Sequence, residues 1–110
     1  MNGQDLLDRT KLLMSRAILE QANLDAIRDK SLANLQRWKS RGVWCSAYDE
    51  WTVLMTSGRD EDILAAMTGL DENSNRLRQS PPYVGLIGQQ VRQQILDACF
   101  SGPLQANGDF

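Results

Sequence analysis

From Gln4 to Arg41 the chain contains neither glycine nor proline, a run of 38 residues. Those two residues are the strongest local interrupters of regular structure, so a run this long without them is a helical segment. Its apolar positions support that reading. Leu6, Leu13, Ala17, Leu24, Ile27, Leu35 and Trp38 recur at steps compatible with a period of about 3.6, interrupted by Thr10, by Glu20 or Gln21, and by Ser31. Two arrangements fit. One is a single amphipathic helix of about 50 Å, at 1.5 Å per residue, that bends at Asn23. The other is a pair of helices broken near Gln21-Ala22-Asn23, with Asn23 capping the second and Asp25 in its first turn. Nothing in the segment forces a turn, so the bent single helix is the expectation. Gly42 ends it, and Lys39 and Arg41 in the last turn complement the helix dipole.

Beyond Gly42 the breakers return and the elements shorten. Ser46, with Asp49 three residues on, predicts a helix to about Thr56 with Gly58 behind it. Asp60 is expected to cap a third helix that turns Ile63, Leu64 and Met67 inward and stops at Gly69. Asp71 caps a fourth, reaching Gln79. Pro81-Pro82 then force an extended connector over residues 80–88, anchored by Tyr83 and Val84. A last helix runs from Gln89 to about Phe100, closed by Gly102-Pro103. No segment alternates long enough to found a sheet. The expected fold is all-α, a long N-terminal helix packed with about four shorter ones. It forms one domain over 1–103, with a flexible tail over 104–110.

Composition removes several function classes. Histidine is absent, which excludes a Ser-His-Asp triad, a Cys-His dyad and an imidazole zinc site. Gly85-Leu86-Ile87-Gly88 lacks the lysine and the spacing of a phosphate loop. Asp60, Glu61 and Asp62 are consecutive, so they fan around a helix instead of converging on a cation. The expectation is therefore no enzyme, no cofactor and no metal. The N-terminus shows neither a basic stretch nor an apolar core of signal-peptide length, which makes the expected setting cytoplasmic, with no membrane contact. There Cys45 and Cys99 read as small buried hydrophobes, inert and unpaired, with Trp44 and Tyr48 shielding Cys45. Trp38, Trp44 and Trp51 read as core.

Charge is sorted along the chain. Residues 1–41 carry +3, residues 42–75 carry −6 and residues 76–110 carry +1, within a net charge of −2. Most of the acidic residues stand where helices begin, so dipole complementarity accounts for much of the pattern. Two functional readings remain. The first is a non-enzymatic protein-interaction or regulatory helical domain, adaptor-like and homodimeric. Its dimer contact is expected through Leu6, Leu13 and Ala17, a stripe that four short helices are too few to cover. The second is a nucleic-acid-binding regulator that uses Arg37, Lys39, Arg41, Arg76 and Arg78 as phosphate contacts, with Arg92 nearby. The discriminating feature is whether the acidic middle covers those cations or faces away from them.

Overall fold

The computed structural model describes residues 3–101. Six α-helices follow one another: α1 (Gly3–Gln21), α2 (Leu24–Ser40), α3 (Ser46–Ser57), α4 (Asp60–Thr68), α5 (Glu72–Arg78) and α6 (Gln89–Leu96). The last continues into a π-helical turn, Asp97–Ser101. No strand occurs among the described residues, and the fold is all-α, as the periodicity predicts. No described helix is long and apolar enough to cross a membrane. The tail expected over 104–110 lies outside the described residues.

The bent spine is in fact two helices. Asn23 takes an extended conformation (φ −79°, ψ 168°), and its side chain accepts the Ala26 N–H at 2.8 Å. An Asx cap of this kind satisfies a donor that a continuous helix would have bonded to a carbonyl one turn back. Local chemistry alone leaves the two choices close; packing decides between them. α1 lies against α4, α5 and α6, whereas α2 packs on α3, so the break lets two halves of one amphipathic run serve different neighbours. Of the residues that interrupt the stripe, Thr10 and Ser31 are buried, as are the polar Ser15 and Asn34, whereas Glu20 and Gln21 are exposed.

Trp51 stands at the centre of the core, fully buried, with Ile27, Met55, Ile63, Met67 and Tyr83 around it. Its indole N–H donates to the Leu77 carbonyl at 2.9 Å, and its ring meets Tyr83 edge-on, centroids 5.5 Å apart. Trp38 and Trp44 pack at the margin of this core, each with its ring against Tyr48.

Two arginines close helix ends. Arg28 of α2 donates to the Met55 and Gly58 carbonyls at the end of α3 (3.1 and 2.7 Å) and to Asp60 at the start of α4 (3.0 Å). Arg78 of α5 is fully buried and donates to the Ala66 and Gly69 carbonyls at the end of α4 (2.9 and 2.6 Å). Each places a cation on the negative pole of a helix. Gly69 is needed beside this joint, because a Cβ there would stand 2.5 Å from the Ala65 carbonyl oxygen and 2.6 Å from the Ser74 hydroxyl.

Several local expectations shift. The N-cap of α4 is Arg59, not Asp60, because Asp62 reaches back to the Arg59 N–H at 3.1 Å and fixes the start one residue earlier. Cys45 occupies the N-cap position expected of Ser46. Leu64 faces outward on α4, since Ile63, Ala66 and Met67 already fill its inner face. The connector is pinned by Asn34, whose side-chain amide donates to the Pro82 and Val84 carbonyls (2.9 and 3.1 Å), and by Tyr83, whose phenol bonds the Ser15 hydroxyl at 2.5 Å. Tyr83 is thus the anchor, whereas Val84 is exposed.

Candidate functional site

The helix α6 is held unusually lightly. None of its eight residues is buried; Val91, Ile95 and Leu96 are half-buried, and the buried Cys99 belongs to the turn beyond it. Between α6, the connector and α1 there is a cleft of about 460 Å3. Leu7, Met14 and Ile18 form the α1 wall, Tyr83, Gly85 and Ile87 the connector side, and Leu96 and Phe100 the opposite wall. Gly85 takes a positive φ of 92°, which turns the chain at the cleft edge, and Lys30 lies close against it. Leu7, Val84 and Phe100 carry the apolar surface outward, each exposed at the mouth.

The cleft has a definite electrostatic character. Lys11 enters from the α1 wall and Arg92 from the α6 wall, and no carboxylate lines it among the described residues. The polar atoms of the floor are already satisfied: the Thr10 hydroxyl donates to the Leu6 carbonyl at 2.8 Å, and the Tyr83 phenol is bonded to Ser15. Burial pushes the Tyr83 phenol up to about 12, opposed in part by the Ser15 bond and by Arg78. The arrangement suits an apolar group that carries negative charge at its edge.

A second, shallower groove of about 420 Å3 lies among α3, α4 and α5, lined by Glu50, Asp62 and Asp71. These carboxylates are engaged. Glu50 accepts from Arg76 at 2.8 Å, Asp62 from the Arg59 backbone and guanidinium (3.1 and 3.4 Å), and Asp71 from the Ser74 hydroxyl and N–H (2.6 and 3.1 Å). Those bonds hold all three carboxyls below their ordinary range: Arg76 lowers Glu50, the Arg59 N–H lowers Asp62, and the Ser74 hydroxyl lowers Asp71. No group of residues suited to a metal ion occurs among the described residues.

The sequence-predicted site residues scatter. Arg37 donates to Asn34 at 2.8 Å, Lys39 lies over the Trp44 ring at 5.3 Å, and Arg41 is exposed after α2. Arg76 is tied to Glu50 and to Asn73. Arg78 is removed from any phosphate track, because its guanidinium is buried on the carbonyls of α4. Leu6, Leu13 and Ala17 are half-buried at the edge of α1, outside the core cluster. The cleft residues Leu7, Lys11, Met14 and Ile18 step by four, three and four, a second helical stripe beside the first. That spacing was the available signal.

Cys45 corrects the expectation for the thiols. It is exposed at the start of α3, while the Trp44 and Tyr48 rings beside it pack on each other, 5.3 Å between centroids. Cys99 is buried, and both are free. A thiol reagent on the native protein is expected to modify Cys45 promptly and Cys99 only after denaturant is added. Equal protection of the two would contradict the exposed cap.

No protein-family model matches this chain, and no curated protein or solved structure matches it either.

Proposed function

We propose that this chain is a non-enzymatic binding protein, an adaptor-like helical domain that docks a protein partner in the cleft between α1 and α6. The observation that carries the reading is α6 itself. A helix of eight residues with no buried side chain falls short of the burial that normally holds so short a helix, and its Leu96 lines an open, largely apolar cleft beside Gln89 and Arg92. A partner that fills the cleft completes that packing. The satisfied floor and the lack of convergent reactive groups favour recognition over catalysis. Two free thiols fit a reducing, cytoplasmic setting.

The nucleic-acid reading has less support. The acidic middle reaches Arg76 through Glu50, Arg78 is internal and Arg37 is bonded to Asn34, so three of the five candidate phosphate contacts are engaged within the fold. Self-association through Leu6, Leu13 and Ala17 is a second reading, favoured by their half-buried place at the margin of α1. Light scattering at tens of micromolar, where such association is commonly visible, separates a 12.4 kDa monomer from a dimer.

The main test introduces charge at the cleft mouth. Leu7→Glu with Phe100→Glu changes two exposed positions and leaves the core intact. Comparative pull-down from the native host is expected to lose specific partners that the unaltered chain retains, with unchanged circular dichroism. Identical captured sets from the two forms would sink the proposal.

A further inference from the structure

We propose that the occupant of this cleft is a short amphipathic helix of the partner, about three turns long, with acidic residues flanking its apolar face. The inference rests on the reading of the cleft as a protein-docking site and adds the chemistry of what docks there.

Length comes from α1. Leu7, Met14 and Ile18 line one wall, and at 1.5 Å per residue the wall runs about 16 Å, three turns of an α-helix. Leu96 and Phe100 face it four residues apart, which leaves room for apolar side chains entering from above. The backbone of the occupant must bring its own hydrogen bonds. Thr10 and Tyr83 have their hydroxyls engaged inside the fold, and no strand edge exists among the described residues to pair with an extended peptide. A helix meets that requirement, since its donors and acceptors are satisfied internally.

Charge comes from Lys11 and Arg92, on opposite walls, with no acidic residue in the lining among the described residues. Neither side chain makes an ion pair or hydrogen bond among the described residues. Carboxylates on the two flanks of an incoming helix would meet one cation each, whereas a basic segment would be repelled from both sides. The same pair argues against a second copy as occupant. A two-fold contact through this cleft would set Lys11 and Arg92 against their own images.

The test uses the full chain and synthetic helices of about fifteen residues, long enough to form on binding. One carries leucines at i, i+3 or i+4, and i+7 with flanking glutamates; the other has lysines in place of the glutamates. Fluorescence anisotropy at low salt is expected to show the acidic helix binding roughly tenfold tighter or more. A Lys11→Glu, Arg92→Glu variant should invert the order, and its circular dichroism should match the parent. Equal binding of both helices, abolished by Leu7→Glu with Phe100→Glu, overturns the acidic preference and leaves the docking reading standing. If neither helix binds, the helical-occupant inference is overturned. Saturable binding of decanoate in their place overturns the docking reading as well.

Discussion

Replacing Arg78 with alanine is expected to lower stability by about 3–5 kcal/mol, the scale for removing a buried charged group from its hydrogen-bonded partners. The side chain is fully buried, and its guanidinium holds the carbonyls of Ala66 and Gly69 and the Asn75 side chain. Without it the Ala66 and Gly69 carbonyls at the end of α4 lose their side-chain donor. Burial pulls the Arg78 pKa down, while Tyr83 and Asp71 act in the opposite direction. The Nε–H has no partner, so the two-pronged contact with the carbonyls is made in spite of a desolvation cost. Lysine supplies one point charge where the guanidinium supplies a planar fork, so Arg78→Lys should recover less than half of the loss. Thermal melts read the effect directly, at roughly 4–8 °C per kcal/mol for a domain near this size. A change in the alanine variant below about 1 kcal/mol, the ordinary scale of a surface substitution, would mean that α4 closes without Arg78.

Tyr83→Phe is expected to cost about 1–3 kcal/mol near neutral pH, since it leaves the Ser15 hydroxyl buried with no partner. Its pH dependence is the sharper signature. The folded phenol titrates near 12, above the ordinary value of 10.0, so the folded state holds the proton more tightly than the unfolded chain does. The resulting stability is fully present below about pH 10 and is lost as the pH rises toward 12, a change of roughly 2–3 kcal/mol by linkage. Phenylalanine has no proton to lose. The advantage of the parent over the variant should therefore shrink in urea melts taken from about pH 9 to about pH 11.5, across the ordinary tyrosine pKa. Taking the difference between the two proteins cancels lysines and other groups that titrate in the same window. A gap that stays constant across that range would refute the assignment.

Both predictions concern joints that join distant parts of the chain. Ser15 lies 68 positions from Tyr83, and Ala66 lies 12 from Arg78. Neither partnership leaves a periodic mark in the sequence. Arg78 in particular has the composition of a surface residue in a polar helix, next to Asn75 and Arg76. Only the approach of α5 to the end of α4 turns it inward.

The sequence by itself determined the helical class, because period and breakers act within a few residues of one another. The run without glycine or proline, the apolar stripe, the Asp71 cap and the Pro81-Pro82 stop are all local, and each appears in the structure. Tertiary structure decided what local terms left nearly balanced. It broke the N-terminal run at Asn23, where a cap and a continued helix are close in free energy and α3 and α4 offer different surfaces to the two halves. It also decided which stripe of α1 faces an open cleft. Leu6, Leu13 and Ala17 and the neighbouring Leu7, Met14 and Ile18 are equally apolar in sequence, about 100° apart on the helix. Which of them is covered depends on the shallow docking of α6, and that depends on a connector pinned by Asn34 and Tyr83 from two other helices. Such contacts depend on shape complementarity between distant segments, a property that spacing within one segment does not encode.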